Sequence, residues 1–225
     1  MIGNKEKIKR RKKRKKERIL LYISELELLC KYASKCNFII ETGGGGKSTS
    51  ALAEVASNNN AKMITIEIDI KKCKKRKKIV EYMNGWSITY KDLIKPCHPD
   101  FIELPIFFEK VKSKSKSFID GEIAHGKKHL MVGEKDLIRK ALKKYNNKKL
   151  DFFFCDTGEY CGLAEWNIVK DEIAEGGYFC CHDIYYPKSI KCFKIAKQIS
   201  ESDKWEILEK TKSKQGLLIA RKIKK

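Results

Sequence analysis

The sequence predicts an α/β fold: an open, mostly parallel sheet of seven strands with helices on both faces. Three observations predict it. Phe38–Ile40 is an apolar, β-forming run that leads through Gly43, Gly44, Gly45 and Gly46 into a helical stretch opening at Lys47. Strand, glycine turn and helix in that order begin a βαβ unit. Strand-like runs then alternate with helical ones, and several end in an acidic residue, at Glu67, Asp156 and Asp183. Finally, Trp205–Lys210 and Gly216–Ile223 read as two strands joined by a short turn, an antiparallel hairpin that a purely parallel sheet would lack.

The elements follow in order. Ile19, Ile23, Leu26, Leu29 and Ala33 share one face of an N-terminal amphipathic helix. The first strand and its helix run to about Ser57, and Asn58–Asn60 makes a turn. Met63–Ile70 reads as the second strand. Lys71–Met83 reads as a helix ended by Asn84-Gly85, and Trp86–Tyr90 as a short third strand with Asp92 just beyond it. Residues 95–132 break the alternation with three prolines and a Lys/Ser run, and are read as an insertion lying over the site. Helix Glu134–Tyr145, strand Leu150–Cys155, helix Trp166–Ala174, strand Tyr178–Cys181 and helix Ser189–Ser200 precede the hairpin.

The bulk numbers exclude several classes. With 225 residues and 42% apolar side chains, the chain is long enough for one domain with a sizeable core. No apolar run reaches membrane-spanning length. The nine cysteines have no C-x-x-C pair; Cys155, Cys180 and Cys181 sit in apolar runs, as small buried hydrophobes of a reducing cytoplasm would. The formal net charge is +21. Lys5–Arg18 carries eleven basic and two acidic residues, and Lys71–Lys78 seven basic ones. Residues 1–18 are read as a flexible arm. Such charge attracts nucleic acid or anionic membrane, or simply solvates a surface; no aromatics interleave it as base-stacking platforms would require.

The glycine turn presents free N–H groups and a helix N-terminus to an anion or a polar ligand. Gly46-Lys47-Ser48 matches the second half of a nucleotide P-loop, but Glu41 stands where the first glycine is required. A carboxylate there has the wrong sign for a triphosphate. Glu41, Thr42, Gly43, Gly45 and Ser48 instead resemble the cofactor turn of class I S-adenosylmethionine (SAM) methyltransferases, where a carboxylate suits an ammonium and a sulfonium.

That resemblance, spanning residues 36–223 without the insertion, implies a Rossmann-like fold whose last strand is inserted antiparallel. It implies Glu67 as acceptor for the ribose hydroxyls and Asp92 as contact for the adenine amino group. LDFFFCDTGEY and GGYFCCHDIYYPKS further resemble the metal-dependent, catechol-type O-methyltransferases and the cephalosporin-hydroxylase-like branch. The resemblance implies that Asp156, His182 and Asp183 hold Mg2+ or Mn2+, and that methyl passes to an oxygen of a small molecule. The catechol-type catalytic lysine is replaced by Glu159, so Asp156, Glu159 and His182 are the candidate catalytic groups. Two alternatives stand beside this reading: a P-loop NTPase or kinase, and a polyanion-binding or RNA-modifying protein on a methyltransferase fold. The methyl acceptor and the oligomeric state are not legible.

Overall fold

Phe38–Thr42 forms β1, and all five of its residues are buried. Such a run fits a strand covered on both faces. The chain is described here from a computed structural model covering residues 23–76, 80–89, 91–92, 133–145, 149–158, 161–185, 189, 191–213 and 215–223. The basic arm, the insertion with His98, His125 and His129, and Glu159 lie outside the described residues.

Parallel to β1 run β2 (Lys62–Glu67) on one side and β4 (Leu150–Cys155) on the other. The third strand, β3 (Glu81–Asn84), extends the sheet beyond β2. On the far side, β5 (Ile173–His182) pairs parallel with β4, and β7 (Leu217–Lys222) pairs antiparallel with both β5 and β6 (Trp205–Lys210). The sheet order is β3-β2-β1-β4-β5-β7-β6. The strand order therefore reverses between β1 and β4, where an open α/β sheet leaves a crevice.

Alternation along the strands feeds two cores. Phe38, Ile40, Phe153 and Phe179 pack on one face with α4 (Leu137–Lys144), α5 (Gly162–Val169) and α6 (Phe193–Ser200). Ile39, Phe152, Phe154 and Cys180 pack on the other with α1 (residues 23–33) and α2 (Lys47–Asn58). This two-sided covering, with the antiparallel β7, is the fold class the sequence predicts.

Some boundaries differ from expectation. The second strand ends at Glu67, and α3 (Ile70–Arg76) starts where the strand was expected to continue. The expected helix 71–83 stops at Arg76, and the third strand is Glu81–Asn84 rather than Trp86–Tyr90. Gly85 ends it at φ +153°. Trp86, Ser87 and Ile88 instead turn their carbonyls to the N–H groups of Leu137, Ile138 and Asp136. They thereby satisfy orphan donors at the start of α4. Lysine continuity hid the break, and the buried Trp86 and Ile88 mimic a strand. Helix α5 lies earlier than expected, because Gly176-Gly177 sits inside β5 beside an irregularity in its pairing with β4 and does not end a helix. Helix α6 begins at Phe193, not Ser189.

Candidate active site

A crevice of about 410 Å³ opens over the carboxyl ends of β1, β2 and β4. Its lining includes Thr42 and Gly43 after β1, Glu67 and Asp69 after β2, Trp86 and Ser87 beyond β3, and Asp156, Thr157 and Gly158 after β4. A volume of this size suits a small-molecule ligand.

The glycine turn folds tightly against the end of β4. Gly43 has φ +73°, and a Cβ on it would sit 2.1 Å from the Asp156 carbonyl oxygen. Only glycine fits there. Glu41 does not reach the crevice. It is fully buried, accepting hydrogen bonds from Ser48 Oγ at 2.9 Å and Thr65 Oγ1 at 3.1 Å. Burial pushes its carboxyl up to about 7, against the pull of hydrogen bonds from Thr49 and Ser48. Thr49 in turn accepts from the Gly45 N–H at 2.7 Å. Glu41 and Ser48, expected at the ligand, thus tie the turn from beneath. Gly45 is outside the crevice lining too, and a Cβ there would meet the Lys72 side chain.

Glu67 is in the expected place. Its Oε1 accepts from the Asp69 N–H at 2.9 Å, and its Oε2 pairs with Lys72 Nζ at 3.1 Å. Asp92 is not. Arg139 binds both of its oxygens at 2.7 and 2.8 Å, and Thr89 donates to it from backbone and side chain. Those contacts, Arg139 first, hold the Asp92 carboxyl well below the usual range. Asp92 locks the loop before α4 and is absent from the crevice lining.

Under the crevice lies a carboxylate that the sequence reading passed over. Glu165, fully buried in the first turn of α5, accepts from Thr42 Oγ1 at 2.6 Å, from Ser87 Oγ and from Cys155 Sγ at 3.4 Å. Burial raises its pKa despite these donors. A glutamate inside the apolar run GLAEWNIV was the available signal.

Asp156 lines the crevice, and behind it His182 and Asp183, which are outside the lining, converge on it as expected, with one donor atom of each within 4.8 Å of the others. Their charge is met in a different way. Lys191 Nζ lies 2.7 Å from Asp156 Oδ1 and 2.7 Å from Asp183 Oδ2. His182 Nδ1 faces the same two carboxylates at 3.8 and 3.6 Å, and its Nε2 lies 3.6 Å from Glu25 Oε2 of α1. Burial would lower the His182 pKa, but Asp183, Glu25 and Asp156 carry it up to about 9. The two imidazole nitrogens thus face three carboxylates between them. Burial would raise the Asp183 pKa, yet His182 and Lys191 hold it well down. Asp183 also adopts φ +65°, a left-handed conformation that aspartate tolerates better than most residues.

A divalent ion needs several oxygen ligands at once. Here one oxygen of each carboxylate is taken by Lys191, and of the atoms left only Asp183 Oδ1 is buried without a hydrogen-bond partner among the described residues. The donor set does not fit magnesium or manganese while Lys191 stands between the carboxylates.

No family model matches this chain, and no curated protein matches it. Solved structures do. The O-methyltransferase TomG of Streptomyces achromogenes, in complex with SAM, superposes with a TM-score of 0.54 at 13% identity, over 89% of this chain and 80% of that one. The O-methyltransferase of Bacillus cereus, in complex with S-adenosylhomocysteine (SAH), gives 0.51 at 15% identity, over 88% and 78%. The SAH-bound methyltransferase PaMTH1 of Podospora anserina gives 0.51 at 14%, over 88% and 78%. The chain has the class I methyltransferase fold. Its seven strands and antiparallel β7 are those the methyltransferase resemblance implied, and its crevice lies at the switch point of the sheet.

Proposed function

We propose that this chain is a SAM-dependent methyltransferase acting on an oxygen of a small molecule. The observation that carries the proposal is the charge of the crevice. Among the described residues, Glu67, Asp69 and Asp156 line it against the single cation Lys72, itself paired with Glu67. Three carboxylates suit a ligand bearing a sulfonium and an ammonium and repel a triphosphate. Lys47, which a P-loop NTPase would need at the phosphates, is not in the lining. The SAM- and SAH-bound proteins of the same fold support the reading.

When bound, SAM supplies a methyl already activated on sulfur; the new O–CH3 bond forms as the S–CH3 bond breaks, its electron pair staying on the sulfur of SAH. The residues of the chain bind and orient. Glu67 accepts the ribose hydroxyls once Lys72 swings aside. Trp86 and Ser87 flank the adenine end, taking the place expected of Asp92. Gly43 lets the backbone approach the ligand. Asp156, 32% exposed by its side chain, points the acceptor hydroxyl and takes its proton, a general-base role. Positioning and dehydration are what such a transfer asks of the protein. The insertion at 95–132 chooses the acceptor in this reading. The free thiols of the eight described cysteines agree with a reducing, cytoplasmic setting.

Thermal-shift curves with SAM, SAH, ATP and GTP test the proposal. SAM and SAH should raise the melting temperature and the nucleotides should not. Stabilisation by ATP or GTP alone would overturn it in favour of an NTPase.

A further inference from the structure

We infer that Lys191 is a built-in cation that replaces a divalent metal between Asp156 and Asp183, so that the acceptor end of the crevice is ordered without a metal ion. Two carboxylates brought to one place repel unless a cation lies between them. Lys191 Nζ meets that need at 2.7 Å from each. Its side chain is only 5% exposed, so the ammonium is committed to this pair.

The backbone fixes it there. Ser189 Oγ accepts from the Lys191 N–H at 3.1 Å. The Lys191 carbonyl oxygen lies against Gly162, where a Cβ would come within 2.4 Å of it. Residue 162 must therefore be small for Lys191 to sit so close to α5.

The surroundings complete the charge balance. Glu25, Asp156 and Asp183 face Lys191 and His182. Thr211 Oγ1 donates to Glu25 Oε1 at 2.6 Å. A divalent ion entering this cluster would have to expel a buried ammonium and leave it unpaired, which is strongly unfavourable. Lys191 does not reach the crevice lining. It is a positioning residue: it sets the orientation of Asp156, whose carboxylate does reach the crevice.

The chemistry served by that orientation rests on the methyltransferase reading, but the identity of the cation does not. Manganese(II) titrated into the full chain, with the free ion followed by electron paramagnetic resonance, tests it in the absence of SAM. The wild type should bind no stoichiometric manganese. Lys191→Ala should gain one site per chain, lost again when Asp183→Asn is added, and Lys191→Arg, which keeps the cation, should gain none. One manganese per wild-type chain, abolished by Asp183→Asn, would overturn the inference, as would a folded Lys191→Ala chain that binds none. If Lys191→Ala does not fold, the wild type and Asp183→Asn decide alone. A failure to bind SAM would sink the methyltransferase reading and leave the manganese result standing.

Discussion

Thr42 Oγ1 donates a 2.6 Å hydrogen bond to Glu165, joining the end of β1 to the first turn of α5 beneath the crevice. Ser87 converges on the same carboxylate from beyond β3. Glu165 thus holds together walls that come from three separate parts of the chain. Glu165→Gln keeps the shape but turns one acceptor into a donor facing donors. The expected cost is about 1–3 kcal/mol in urea denaturation, with weaker SAH binding by calorimetry. Unchanged stability and affinity would remove Glu165 from this role.

Glu67→Ala leaves a bound ribose without its charged acceptor. Affinity for SAH should fall by roughly 1.5–3 kcal/mol, and Glu67→Asp should lose less. Asp92→Asn should leave affinity near the parent value, since Asp92 is held by Arg139 outside the crevice. Calorimetric titration of the three variants separates the two acids.

Gly43→Ala forces a Cβ into the Asp156 carbonyl at a positive φ. The turn and the end of β4 cannot both stay in place. A loss of about 2 kcal/mol or more is expected, read as a lower urea midpoint. A neutral result would contradict the described packing.

The buried Glu41 makes stability depend on pH. Its carboxyl is raised from 4.5 to about 7 by burial, against hydrogen bonds from Thr49, Ser48 and Thr65. Between those values the folded chain keeps a proton that the unfolded chain has released. Stability from this group therefore falls as pH rises from about 4.5 to 7 and is flat above, by on the order of 3 kcal/mol in total. Glu41→Gln should lack this slope. Parallel stability–pH curves for parent and variant would contradict it.

The sheet was legible because its strands are apolar runs cut by glycine, asparagine or acids: Leu150–Cys155 and Trp205–Lys210 lie where the sequence puts them, and the run Phe38–Ile40 marks β1, which continues through Glu41 to Thr42. The third strand was not, because EYMN is half-buried and weakly β-forming beside a lysine run, and only its pairing with β2 defines it. Glu67 and Asp156 were legible from their positions at strand ends. Lys191, Glu25 and Glu165 were not. Each sits on a helix or loop away from the strand ends, and its partner is set by the fold rather than by spacing along the chain; for Glu165 the apolar run GLAEWNIV around it was the signal. The resemblance implies a cation at Asp156 and Asp183. It does not show that the cation is Lys191, whose apolar neighbours Ile190 and Cys192 were the one hint of burial.

A crystal structure of the full chain grown with SAH tests the central claim most directly. The account predicts SAH in the crevice at the β1/β4 switch point, with its ribose hydroxyls on Glu67 and its adenine beside Trp86 and Ser87. SAH bound elsewhere, or bound with its ribose away from Glu67, would contradict it.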